Sequence, residues 1–263
     1  CMYHYWTYDR QGVLDGITGA DTFGDVDAKG LIELPTDKNV GMIFASLDRE
    51  ATVNAKEWLG GMDRSLAELN FDRLYPYKRI TKMDSPNWKL AADGYLDGYH
   101  LGYLHRNTIG TKSIGNRNTY DLFGNHVRIG FANKQCLDYD DIPADKLEMG
   151  QVMSLVHYIF PNVSISGGHG GTVQLSRLFP GTTSDQSTTT QQQYFTVPIE
   201  GEMVEVAETK RLTYEAVVRD EDCFTIFGIG RSLPAMGDSH LIFGRNEKGN
   251  IHLHECIDRL TRA

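Results

Sequence analysis

The chain has 263 residues, 40% of them hydrophobic and 10% aromatic, with a formal net charge of −9 and a pI near 5.4. That length supports one large core, or one core with a small appendage, and an acidic balance without any run of Lys or Arg argues against a nucleic-acid partner. No stretch approaches the roughly 18 consecutive apolar residues of a membrane span, and Cys1, Cys136, Cys223 and Cys256 show no paired spacing, so a disulfide scaffold is not expected and a reducing cytoplasm is the predicted location.

Residues 1–49 read as short strands and turns: YHYWTYD alternates, RQG is a turn, LIELPTDKNVG carries Pro and Gly punctuation, and MIFASL reads as a buried strand. They are expected to form part of a small β domain. ATVNAKEWLGGMDRSLAEL then reads as helix and LYPYKRITKM as strand, and Pro86 precedes a helix starting near Asn87. NHVRIGFA, MSLVHYIFPNVSIS and TVQLSRLFP follow as strands. The polar tract TTSDQSTTTQQQ is predicted to be a hairpin loop leading into the strand YFTVPI. KRLTYEAVVRDEDCFTIFGIGRSL and IHLHECIDRLTRA close the chain as helices. Strands first and a long helix across them predict an α+β fold with an antiparallel sheet over residues 50–263.

The densest chemistry lies in PNWKLAADGYLDGYHLGYLHRNT, where Asp97, His100 and His105 form D-x-x-H-x-x-x-x-H. A carboxylate three residues before a histidine shares its face on a helix and can fix the imidazole through a hydrogen bond. His100 and His105 are five apart, so on a regular helix they diverge by roughly 140°. Both can reach one metal only if the helix breaks between them, and Gly102 sits where that break is needed. Two neutral imidazoles suit iron, zinc, copper or nickel, so a third ligand decides. The acidic cluster Asp220-Glu221-Asp222 opens an apolar helical stretch, where carboxylates in a first turn are favoured by the macrodipole. It also offers the carboxylate of a two-histidine, one-carboxylate facial triad, the arrangement of non-haem iron(II) oxygenases.

The chain opens on Cys1-Met2-Tyr3-His4, a C-x-x-H that can give one thiolate and one imidazole to a metal. A Rieske [2Fe-2S] centre needs two of each. With no second pair downstream, the expectation is that the other pair lies upstream and that the chain begins within a site.

With C-x-x-H-x-W-x-Y-D, NWKL, D-x-x-H-x-x-x-x-H, IFPN and a late Glu-Asp pair in this order, the sequence resembles the large (alpha) subunit of Rieske non-haem iron aromatic ring-hydroxylating oxygenases over nearly its whole length. The resemblance implies a helix-grip catalytic domain over residues 50–263, preceded in residues 1–49 by the C-terminal part of an all-β Rieske domain. It implies that His100, His105 and Asp222 hold a mononuclear iron, and that Cys1 and His4 are ligands of the [2Fe-2S] cluster. Asp97 would bridge a cluster histidine of one subunit and an iron histidine of its neighbour in a trimer, or in an alpha-beta hexamer. Electrons would come from NAD(P)H through a ferredoxin or reductase, and an aromatic substrate would react with O2 to give a cis-dihydrodiol. Monooxygenation or demethylation stands as the alternative, as does an iron-free ligand-binding homologue or a zinc hydrolase. Asp93, Leu96, Tyr103, Leu104 and Ile159 are the pocket candidates. Tyr5, Asp93 and Gly230 depart from the family's usual Gly, Asn and Gln.

Among the other histidines, His252 and His254 alternate as on a strand edge or helix start, His169 lies in a glycine turn, and His157 reads as a core residue. His126 and His240 carry no neighbouring signal.

Overall fold

In a computed structural model, residues 1–25, 27–139, 141–168, 171–237 and 240–262 are described, with the backbone alone at Ala144 and Gln151. His169 lies outside the described residues. Two compact units divide the chain, Cys1–Ala55 and Lys56–Ala263.

The first unit holds two antiparallel hairpins, β1 (Thr7–Tyr8) with β2 (Leu14–Gly16) and β3 (Thr36–Asn39) with β4 (Met42–Ala45). Val40 and Gly41, both at positive φ (47° and 76°), make the tight turn of the second hairpin, as two-residue hairpin loops require. The expected buried strand MIFASL is instead half open: β4 alternates, and Ile43 is 75% exposed. A two-stranded ribbon covers only one of its faces. Tyr5 sits at φ 58°, a left-handed conformation that costs a residue with a Cβ about 1–2 kcal/mol. This is the position where the resemblance expects glycine.

Short helices α1 (Ala55–Leu59) and α2 (Asp63–Ala67) lead to the sheet of the second unit. Its strands are β5 (Tyr75–Pro76), β6 (Thr81–Ser85), β7 (Ser113–Phe123), β8 (His126–Asn133), β9 (Met153–Ile159), β10 (Val163–Gly167), β11 (Thr172–Pro180) and β12 (Ser187–Phe195). They run in the order β5-β12-β11-β10-β9-β8-β7, with β6 also on β12, and every pairing among the described residues is antiparallel. The helices are α3 (Trp88–Leu96), the one-turn α4 (Met149–Val152), α5 (Met203–Ala216), α6 (Phe224–Ser232) and the long C-terminal α7 (Lys248–Thr261). The α+β fold is therefore as predicted, a helix-grip arrangement with an antiparallel sheet.

Both faces of the sheet are covered in its middle, where His157, Ile165, Val173 and Leu175 are buried on one side. The other face, toward α3 and α7, is apolar at one end and polar at the other. Val127, Ile129 and Phe131 of β8 and Tyr158 of β9 form the main core with Ala91, Ala92 and Leu96 of α3 and Leu253 and Cys256 of α7. Toward the other edge, Ser187, Thr189, Gln191 and Gln193 of β12 are all buried. Here the expected hairpin loop holds only for residues 182–186, between β11 and β12. STTTQQQYF is a strand, registered with β11 from Thr172↔Phe195 to Pro180↔Ser187. Its alternate burial is a strand period written in polar residues, invisible to a reading based on hydrophobic alternation. Partners on the same face make that polarity tolerable: Ser85 Oγ donates to Thr189 Oγ1 at 2.9 Å, and Gln191 Nε2 to the Tyr95 hydroxyl at 3.3 Å.

His126 and His157 are buried in this framework. His126 Nε2 meets the Trp58 carbonyl at 2.6 Å while its Nδ1 accepts from Phe160 N at 3.0 Å, and His157 Nε2 lies 2.7 Å from Ser65 Oγ. Among the described residues no helix is long and apolar enough to cross a membrane.

Candidate metal centre

Helix α3 starts where its signals place it. Asn87 is the N-cap, its side chain accepting from Lys89 N at 2.8 Å. It ends at Leu96, one residue before Asp97, whose backbone is extended (φ −97°, ψ 128°). Asp97 and His100 therefore do not share a helix face as expected. The Asp97 carboxylate accepts from Tyr99 N at 2.5 Å and His100 N at 3.3 Å, competing with the helix for backbone donors and turning the chain into a 3-10 turn over His100–Gly102. This turn brings the same pair together by another route, with His100 Nδ1 2.9 Å from Asp97 Oδ2. The 3-10 turn ends at Gly102, between the two histidines, but α3 has already stopped at Leu96, ahead of both; beyond the turn His105 is 1% exposed. Gly110 makes the His105 loop possible, because a side chain there would strike the carbonyl oxygens of Leu101 and His105.

The carboxylates arrive from the opposite side. Helix α5 widens into a π-helical segment, Val217–Cys223, before continuing as α6. The acidic cluster is thus in mid-helix, not at a helix start, and macrodipole capping does not explain it. π segments are rare and concentrate at functional sites. Asp220 is exposed and paired with Arg219, Nε to Oδ1 at 2.7 Å. Glu221 and Asp222 take the two sides of one ring: His105 Nδ1 lies 2.5 Å from Glu221 Oε2, and His105 Nε2 lies 3.0 Å from Asp222 Oδ1. Thr108 Oγ1 donates to the same Glu221 oxygen at 2.8 Å.

These bonds set the tautomers. With Nδ1–H of His100 given to Asp97 and Nδ1–H of His105 given to Glu221, each neutral ring turns an Nε2 lone pair inward. The two Nε2 atoms are 3.2 Å apart, and His100 Nε2 is 3.6 Å from Asp222 Oδ1. Ligand atoms about 2.1 Å from one ion lie about 3.0 Å apart at right angles and about 3.4 Å apart at tetrahedral angles, so this triangle has the dimensions of a metal's ligand set. Two lone pairs and a carboxylate oxygen facing each other repel unless a cation or proton lies between them. Among the described residues, His100, His105 and Asp222 are the group of three or more His, Cys, Asp or Glu side chains able to share an ion. The residues therefore fit a mononuclear metal, with both imidazoles backed by carboxylates in the manner of metal-ligating histidines.

Electrostatics agree with the geometry. Burial pushes Asp97 upward, but the hydrogen bonds from His100 and from the Tyr99 and His100 amides outweigh it and hold the carboxyl below its ordinary value. Burial lowers His105, yet Asp222 and Glu221 together raise it above the usual imidazole value when no metal competes. Metal must then displace a proton, so affinity rises with pH. Glu221→Gln removes one charge and should weaken metal binding by about 10–100-fold, read by competition against a chelator; unchanged affinity would mean that Glu221 does not support His105.

The remaining expected residues distribute as follows. Asp93 and Leu104 line a cavity of about 240 Å³ that reaches His100 and Asp222, with Leu90, Ile229, Leu241 and Phe243 as apolar wall. Leu96 is core, Ile159 is buried in β9, and Tyr103 is 69% exposed, its ring tilted against Tyr99. Cys1 and His4 are exposed in the first unit. His252 and His254 lie on α7, not on a strand, and on a helix they diverge by about 160°. His252 Nε2 meets the Gly124 carbonyl at 3.0 Å, and His254 Nε2 meets Asp93 Oδ1 at 3.0 Å. Sequence reasoning missed this Asp93–His254 link and the role of Glu221; only its adjacency to Asp222 was available as a signal.

Residues 71–263 match the family described as ring hydroxylating alpha subunit (catalytic domain). The anthranilate 1,2-dioxygenase large subunit of Burkholderia cepacia is 30% identical over 115 residues, covering 40% of this chain and 27% of that protein. The carnitine monooxygenase oxygenase subunit of Escherichia coli (strain K12) is 28% identical over 109 residues, covering 40% and 29%. These matches span less than a third of the relatives' own length. A crystal structure of a quaternary ammonium Rieske monooxygenase in complex with L-carnitine superposes with a TM-score of 0.77 at 17% identity, covering 98% of this chain and 70% of that one.

Proposed function

Because the chain belongs to the ring-hydroxylating alpha subunit family, we propose that it is the oxygenase component of a Rieske-type system, with His100, His105 and Asp222 holding one iron. The observation that carries this reading is the convergence of two imidazole lone pairs and Asp222 Oδ1 while both Nδ1 atoms are committed to carboxylates. Iron(II) so held supplies a redox metal with open positions for dioxygen, which zinc does not.

The chain's own residues have separable tasks. Asp97 and Glu221 keep the Nδ1 protons in place, so that neither ring can turn its lone pair away. Leu90, Ile229, Leu241 and Phe243 keep water from the side of the site that opens between His100 and Asp222. Residues 1–49 belong to a Rieske domain in which Cys1 and His4 are ligands of a [2Fe-2S] cluster, and residues 50–263 are the catalytic domain. Asp97 links the iron histidine His100 to a cluster histidine of a neighbouring subunit, in a homotrimer or an alpha-beta hexamer. A ferredoxin or reductase delivers the electrons, in the cytoplasm.

The reaction is hydroxylation of an aromatic or similar apolar compound, with cis-dihydroxylation as first reading. Monooxygenation is the second, favoured by the likeness in fold to the quaternary ammonium monooxygenase. Incubation of the full-length protein with a reductase, NADH and a panel of aromatic and ammonium compounds should give an oxygen-18-labelled product from labelled O2. Two labelled oxygens per product mean dioxygenation and one means monooxygenation. An iron-replete, reducible protein that labels nothing would overturn the proposal.

A further inference from the structure

Gln174 and Gln193 face each other across β11 and β12. They are 4% and 2% exposed, and neither the oxygen nor the nitrogen of either amide has a hydrogen-bond partner. Each buried polar group left unmet costs about 1–3 kcal/mol, and leucine at these positions would serve a core better. Both side chains are on the face that meets α3 and α5, since their neighbours two residues along the same strands are in contact with those helices. On one side, Gln191 donates to Tyr95 of α3; on the other, Lys210 Nζ of α5 donates to Thr172 Oγ1 at 2.6 Å and stands 5.7 Å from the centre of the Phe195 ring.

The face is therefore a polar track in steps of about 6.7 Å: Thr172 under Lys210, then Gln174 and Gln193, then Ser176 and Gln191 beside Tyr95. Its outer end meets a cavity of about 460 Å³ lined by Lys112, Lys210, Thr209, Thr213 and Tyr214 among others, with no carboxylate among the described residues of its wall. That volume is in the range of small-molecule sites. At the inner end, Tyr95 and Asp222 both line a void of about 30 Å³. Two acids of α5 are committed elsewhere, Glu208 and Glu215 both pairing with Arg211. Lys210 has no carboxylate partner among the described residues. In a chain of net charge −9, a wall with two lysines and no acid is where an anion can be drawn in.

We infer that this track binds a small organic carboxylate, with Lys210 taking the anionic group and the Gln174 and Gln193 amides meeting polar atoms further in, on the way to Asp222. The inference rests on the oxygenase reading, because it makes the track the substrate's seat.

Calorimetric titration of the iron-reconstituted full chain with benzoate, hexanoate and the neutral isostere benzamide tests it. At least one carboxylate should bind saturably, and benzoate about tenfold or more tighter than benzamide. Lys210→Met should abolish that preference and leave benzamide within about twofold. Gln174→Leu and Gln193→Leu should raise the thermal midpoint while weakening both benzoate and benzamide. The inference is overturned if neither carboxylate binds, if Lys210→Met leaves the preference intact, or if the leucine variants bind as the parent does. Iron content measured on the same samples separates the two readings: iron uptake without anion binding sinks the track alone, and anion binding without iron uptake sinks the oxygenase assignment alone.

Discussion

His105→Ala should leave a folded protein that retains no iron, with affinity down by well over the hundredfold typical of losing a supporting residue. His105 is the innermost member of the site, with Nε2 3.2 Å from His100 Nε2 and 3.0 Å from Asp222 Oδ1. Its removal takes away a ligand and also the partner shared by Glu221 and Asp222, two carboxylates brought close by one π-helical turn. Their mutual repulsion should cost stability as well, so circular dichroism must accompany the iron assay. The acidic cluster supplies the control. Asp222→Ala is expected to lose iron like His105→Ala, whereas Asp220→Ala should keep it, because Asp220 is exposed and paired with Arg219. Full iron retention in His105→Ala or in Asp222→Ala would remove the basis of the proposed function.

Asp97→Asn is expected to lose most turnover while keeping iron and substrate affinity. The amide oxygen can still accept from His100 Nδ1, now 2.9 Å from Asp97 Oδ2, so the ring stays in place. What disappears is the negative charge, together with Oδ1 as acceptor for the Tyr99 amide, while the retained oxygen keeps the His100 amide and ring. If Asp97 couples the iron site to a cluster histidine across a subunit boundary, iron reduction in a single turnover should slow before binding changes. A role confined to the turn after α3 predicts instead a stability change of about 1 kcal/mol and near-normal turnover. Normal turnover would end the bridge; loss of iron would make Asp97 a support for His100 alone.

Local chemistry in the sequence determined much of this protein. Asn87 after Pro86 marked the start of α3, and the five-residue step from His100 to His105 ruled out one regular helix through both. Apolar, β-branched runs located β8 and β11, and the stretch MSLVHYIFPNVSIS folded back at residues 160–162 into two strands, β9 and β10. Such signals are legible because they depend on neighbours a few residues away. Tertiary structure alone decided the rest. Asp97 reaches His100 through an Asp-directed turn, not along a helix face, since the carboxylate captured backbone donors that would have continued α3. The polar tract before Tyr194 became a strand because nine registered partners on β11 and polar groups on the same face paid for its burial. The role of Glu221 depended on a contact 116 residues away in sequence and on a π-helical widening that lets adjacent acids take both nitrogens of one ring. Pairings of that separation leave no periodic trace in the chain, because they are specified by packing between elements and not by the propensities within one.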